Sequence, residues 1–204
     1  MSLVVIGGHS RSVGKTSVVA GLIAALPEFN WTALKITQYG HGICSADGKP
    51  CHCATDDHTR AITEEHDRSG ESDTSRFLVA GAKHSIWVRT RQGMLAAAMP
   101  DIRRKIAGAE NVIMESNSIL QFMTPDLYLT VLDAGTQDFK NSAREFLDRA
   151  DALVLHRTDA EPRWDSVSLK PDAGLPRFLI DPPNYVTPEI VSFVRERLTS
   201  KVAV

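Results

Sequence analysis

Eleven residues near the start of the chain carry the clearest chemistry: Gly7-Gly8-His9-Ser10-Arg11-Ser12-Val13-Gly14-Lys15-Thr16-Ser17. Small residues let backbone N–H groups turn towards an anion. A helix that starts at Lys15 would add the partial positive charge of its N-terminus. Such a loop binds phosphate. Lys15 would reach the outer phosphates, and the Thr16 hydroxyl would ligate Mg²⁺. The spacing is unusual. Gly8 and Gly14 are separated by five residues, and His9 stands where the usual four-residue spacing puts a glycine. Arg11 lies inside the loop, where it would either touch a phosphate oxygen or stay solvated.

Acids at strand tips are the natural second half of such a site. Val112-Ile113-Met114-Glu115 is an apolar run that ends in a carboxylate. Glu115 would hold Mg²⁺ directly or through water, so Lys15 and Glu115 are the candidate catalytic residues. Asp133 ends the next apolar run and is the weaker candidate, because Asp133-Ala134-Gly135-Thr136 also reads as a turn. Lys35 ends another such run. It would either face the site or be solvated.

A second constellation is Cys44, Cys51, His52 and Cys53, with His41 and His58 nearby. These are all three cysteines of the chain, an odd number, which argues against a disulfide framework. Cys44, Cys51 and Cys53 with one imidazole would complete a tetrahedral Zn²⁺ site. His58 is the first choice for the fourth ligand and His41 the second. The alternative is a set of reduced thiols in a loop.

The elements that would position these groups follow from periodicity. Residues 3–6 read as a buried parallel strand and residues 15–26 as a helix stopped by Pro27. Strands are expected at 31–37, 85–89, 111–115, 127–132, 152–156 and 177–180. Helices are expected at 73–82, at 92–107 with an interruption at Pro100, at 139–150, and from Thr187-Pro188 to about Leu198. Residues 38–72 form a polar insertion in which residues 55–66 read as a short helix. Alternating short apolar strands and helices predict one α/β domain over residues 1–204, a three-layer sandwich with a mostly parallel sheet between helices. Trp87 and Trp164 read as packing residues.

Taken together, the loop, Asp73-Thr74-Ser75-Arg76 with Ala80-Gly81-Ala82, the strand ending in Glu115 and His156-Arg157-Thr158-Asp159 resemble the MobB family of molybdopterin-guanine dinucleotide biosynthesis. The resemblance covers roughly residues 1–160 and extends to the wider phosphate-loop class of dethiobiotin synthetase and the nickel metallochaperones. It implies a GTP-binding adaptor with weak hydrolysis, acting with a protein partner in cofactor maturation. A homodimer is common in the resembling families. Gly14, Lys15 and Thr16 would hold phosphates and Mg²⁺. Arg157 and Asp159 would belong to a degenerate base-reading motif with His156 in place of Asn, so both GTP and ATP stay open. The plain alternative for Asp159 is a loop acid. An ATP-dependent ligase and a nucleotide-gated metallochaperone are the competing functions.

Composition excludes other classes. Lys plus Arg is 23 and Asp plus Glu is 25, a net charge of −2, which leaves no electrostatic footprint for nucleic acid or anionic membrane. No apolar run approaches the ~20 residues of a membrane span. The opening residues lack the basic region and cleavage site of a leader, so a cytoplasmic protein is expected.

Overall fold

The computed structural model describes residues 1–39, 59–159, 164, 167 and 174–200. Eight strands form one sheet: β1 (Ser2–Gly8), β2 (Trp31–Tyr39), β3 (Arg60–Glu64), β4 (His84–Arg91), β5 (Asn111–Glu115), β6 (Leu127–Leu132), β7 (Ala152–His156) and β8 (Arg177–Ile180). Their order is β3-β4-β2-β5-β1-β6-β7-β8. All pairs are parallel except β3 with β4. Among the described residues, five helices accompany them: α1 (Lys15–Ala25), α2 (Asp73–Val79), α3 (Leu95–Ile106), α4 (Asn141–Phe146) and α5 (Pro188–Thr199).

Side-chain alternation along the strands builds two cores. Leu3 and Val5 of β1 face the layer of α3 and α4, with Met99, Ile102 and Phe146. Val4 and Ile6 face the layer of α1, α2 and α5, with Leu22, Phe77 and Val194. Helices therefore cover both faces of a mostly parallel sheet, the expected α/β three-layer sandwich. The central strands β5, β1 and β6 are apolar and mostly buried, as two covered faces require.

Three expectations need correction. Residues 55–66 are not a helix where they are described. Arg60–Glu64 pairs antiparallel with β4 and tucks Ile62 against the core, so the pairing of a free sheet edge outweighs local propensity. Helix α3 runs through Pro100 without interruption. Ala96 and Pro100 are both exposed, so the carbonyl that loses its hydrogen bond is open to water. The helix of residues 139–150 is α4 followed by a 3₁₀ turn at Leu147–Arg149.

The register sets the site. Ile6 lies beside Glu115, and Lys35 lies on the other side of Glu115. The C-terminal tips of β1, β2 and β5 thus meet below the N-terminus of α1. Open α/β sheets bind their ligands at such a crevice.

Candidate functional site

The loop between β1 and α1 is held from beneath by Asn117. Its side-chain oxygen accepts from the Gly8 N–H at 3.0 Å, and its amide donates to the Gly8 carbonyl at 2.9 Å, both buried. This contact explains the double glycine. A Cβ at Gly7 would lie 2.2 Å from Asn117 Oδ1, and one at Gly8 would lie 2.9 Å from the Lys15 stem. The loop then turns through Ser12 (φ 58°) and Gly14 (φ 88°). Left-handed residues of this kind aim successive N–H groups into one concavity, a nest for anions. The first α1 hydrogen bond runs from Val18 N–H to the Gly14 carbonyl, and no side chain caps the helix. The N–H groups of Lys15, Thr16 and Ser17 therefore have no intrahelical acceptor.

Lys15 folds back so that its ammonium donates to the Ser10 carbonyl at 2.5 Å. Burial pushes its pKa down to about 8, against the pull of Glu115; Lys140 and Lys35 push the same way as burial. Burial, with Arg11 as the next cause, also lowers Lys140. Lys15, Lys35, Lys140 and Arg11 thus crowd one region, and a polyanion would relieve them.

Thr16 Oγ1 donates to Glu115 Oε2 at 2.7 Å. Lys35 donates to Glu115 Oε1 at 2.8 Å and pairs with Asp73 Oδ2 at 2.6 Å. Burial alone would lower the Lys35 pKa, but Glu115 and the hydrogen bonds to Asp73 and Glu115 hold it above its usual value. Thr16, Glu115 and Asp73 present hard oxygens around the Lys35 ammonium, and Asp73 also pairs with Arg76 at 3.9 Å. That donor set fits Mg²⁺, which takes one or two protein oxygens and completes its shell with water and phosphate. On binding, Mg²⁺ supplies charge neutralisation to phosphate oxygens. Thr16 and Glu115 would hold it.

His9 and Ser10 serve the loop from behind. His9 is fully buried against Phe139 and Trp164. Its Nδ1–H donates to the Asp138 carbonyl at 2.7 Å, and its Nε2 accepts from the Asp133 N–H at 3.0 Å. Its backbone is equally committed, to Val131 and Lys140. The His9 ring therefore faces the core and not the anion cradle. Ser10 donates its hydroxyl to Asp138 at 2.6 Å. Asp133 closes its own turn by accepting from Gly135 and Thr136. Arg11 and Ser12 are exposed, and Val13 is buried.

Burial lowers the His9 pKa, despite the hydrogen bond to Asp138 and the nearby Asp133 charge, which raise it. Protonation at Nε2 would also break the bond from Asp133. The folded pKa lies below the usual 6.5 of the unfolded chain. His9 therefore favours the fold above that pH, and this contribution is lost as pH falls through 6.5 towards the folded value. Urea midpoints should decline from pH 7.5 to pH 5, and His9→Gln should flatten that part of the profile.

The far side of the loop faces β7 and the segment after β8. His156 Nε2–H donates to the Val13 carbonyl at 2.9 Å. Tyr185 lies over Gly14, where a Cβ would approach its ring to 2.1 Å. Arg157 is turned away, paired with Asp181 at 3.0 Å, and Asp159 is exposed. A groove of about 730 Å³ opens beside them between α1 and α5, with Ser17, Arg76, Asn184 and Tyr185 at one end. Arg76 donates to Ser17 Oγ at 2.9 Å.

Thr16 and Glu115, both singled out in the sequence, lie within hydrogen-bonding distance of each other. Asn117, Asp73, Lys140 and Asp138 were not anticipated in the site. Asn117 had a signal, since it lies two residues after Glu115. Lys140 had none. Cys44, Cys51, Cys53, His58 and His41 lie outside the described residues. Among the described residues, no group of three His, Cys, Asp or Glu side chains is placed to hold a metal ion.

No protein-family model matches the chain, and no curated protein matches it. Solved structures do. HypB from Helicobacter pylori, in complex with nickel, is 15% identical with a TM-score of 0.46, over 97% of this chain and 86% of that one. MobB from Bacillus subtilis is 13% identical with a TM-score of 0.42, over 97% of each. LpxK from Aquifex aeolicus, in complex with ATP, is 20% identical with a TM-score of 0.48, over 88% of this chain and 53% of that one. At such TM-scores, function rests on the geometry of the site itself.

No helix among the described residues is long and apolar enough to cross a membrane.

Proposed function

We propose that the chain binds a purine nucleoside triphosphate with Mg²⁺ and acts as a slow NTPase or adaptor of the MobB type. One observation carries this reading. The uncapped N-terminus of α1, the half-buried Lys15 and the Thr16–Glu115 pair converge at the tip of β1. The N–H groups and Lys15 would take the β and γ phosphates, and Thr16 and Glu115 the metal. The groove lined by Ser17, Arg76, Asn184 and Tyr185 would take the nucleoside. Arg157 and Asp159 stay candidates for the base, although Arg157 must first leave Asp181.

A melting panel of GTP, ATP and their analogues with Mg²⁺ tests the function. A ligand at 100 times its Kd stabilises by about 2.7 kcal/mol, a Tm rise of about 5–10 °C for a chain of this size. A GTP preference supports the adaptor. An ATP preference supports the ligase-like alternative. No shift with either rejects both.

We also propose Zn²⁺ at Cys44, Cys51, Cys53 and His58, from residue type and spacing alone. Elemental analysis of reduced, purified protein should find zinc near one atom per chain. A value near zero rejects the site.

A further inference from the structure

Lys35 occupies the place a metal ion needs. Its ammonium lies 2.6 Å from Asp73 Oδ2, 2.8 Å from Glu115 Oε1 and 3.4 Å from Thr16 Oγ1. An ammonium has three N–H donors and no acceptor, so these three oxygens account for all of them. They come from α2, β5 and α1, elements far apart in sequence. The β2–β5 register places Lys35 directly beside Glu115. Asp73 is anchored independently. It is the first residue of α2, whose start is capped by Ser72 accepting from the Ser75 N–H. Glu65 in turn accepts from Ser72 and Thr74. The two carboxylates are thus built into a frame, with the lysine as their shared counter-charge.

A divalent cation binding Glu115 at about 2.0–2.1 Å would stand against this ammonium. Like charges at such separation repel strongly in a half-buried site. The two cations therefore compete for the same oxygens. The ammonium can leave only if another anion takes it, and the anion cradle at the start of α1 adjoins Thr16.

Resting on the nucleotide reading above, we propose that Lys35 is an internal counter-cation that closes the metal position of the free chain. Divalent metal then enters together with the triphosphate, and Lys35 transfers from Asp73 and Glu115 to the phosphates. Asp73 becomes an additional protein oxygen facing the metal. The substrate is the metal–nucleotide complex, and metal alone is excluded. Lys35 here positions charge and is not itself assigned a chemical step.

The test is Mn²⁺ binding without nucleotide, read from the free-ion signal in electron paramagnetic resonance. The wild-type chain should bind Mn²⁺ weakly. Lys35→Met and Lys35→Gln should bind it roughly tenfold more tightly or better, since a repelling charge is gone. Lys35→Arg keeps the charge and should stay as weak as wild type. Adding Asp73→Asn to Lys35→Met should remove most of the gain. Two neutral variants guard against one failing to fold, and a cooperative melt confirms each. The proposal is overturned if folded Lys35→Met or Lys35→Gln shows no gain, or if the wild type binds Mn²⁺ as tightly as they do. A fluorescent triphosphate analogue with Mg²⁺ is titrated into the wild type in parallel. If that binding is absent while the Mn²⁺ gain holds, the nucleotide reading fails and the counter-cation role stands.

Discussion

Lys15→Ala should abolish the rise in Tm produced by GTP or ATP with Mg²⁺ while leaving a cooperative melt in their absence. The reason is electrostatic. Lys15 is buried enough to lower its pKa to about 8, beside Lys140 and Lys35. In the free chain its ammonium donates to the Ser10 carbonyl. A phosphate would offer it full opposite charge in a site shielded from water, where such bonds are strongest. Its removal takes away that term and leaves the fold's two cores untouched. At 100 times the Kd, the lost stabilisation is about 2.7 kcal/mol. A shift of unchanged size in Lys15→Ala would show that the nucleotide binds elsewhere. Lys15→Arg serves as control. It keeps the charge but is too long and flat for the Gly8 contact, so partial recovery is expected.

Asn117→Ala should be the most damaging single change near the site. It removes both partners of the Gly8 peptide at once. A buried backbone group left without a partner costs about 1–3 kcal/mol, so a loss of about 2–6 kcal/mol is expected from two. The loop would also lose the contact that fixes its entry angle, and triphosphate affinity should fall with stability. Asn117→Asp separates the two bonds. It keeps an acceptor for the Gly8 N–H and loses the donor to the Gly8 carbonyl, so it should lie between wild type and Ala. Urea denaturation measures the stability, and analogue titration measures the affinity. If Asn117→Ala is as stable as wild type, the clamp is not what holds the loop.

The parallel sheet was legible because its strands are short apolar runs, such as residues 3–6 and 111–115, bounded by polar or glycine punctuation. Strand β3 was not, because Arg60–Glu64 has one apolar side chain of consequence, Ile62, and gains its structure from pairing with β4. Lys15, Thr16 and Glu115 were legible because a phosphate loop and an acid at a strand tip are local signals. Lys35 was ambiguous for a physical reason. A strand-end lysine looks the same whether it is solvated or paired, and only the register of β2 with β5 puts it against Glu115. His9 misled for the opposite reason. Its position in the loop suggested phosphate, yet Phe139 and Trp164, far along the chain, bury it. Trp164 does pack, as its type suggests. Asp73 is a helix-start acid by sequence and a neighbour of Glu115 only through the ion pair with Lys35.

The most direct measurement is calorimetric titration of the wild-type chain with a non-hydrolysable GTP or ATP analogue, with and without Mg²⁺. One saturable site per chain should appear, tightened by Mg²⁺ and lost in Lys15→Ala. A folded chain that gives no binding heat with either analogue at millimolar concentration, with Mg²⁺ present, would contradict a triphosphate site at the start of α1.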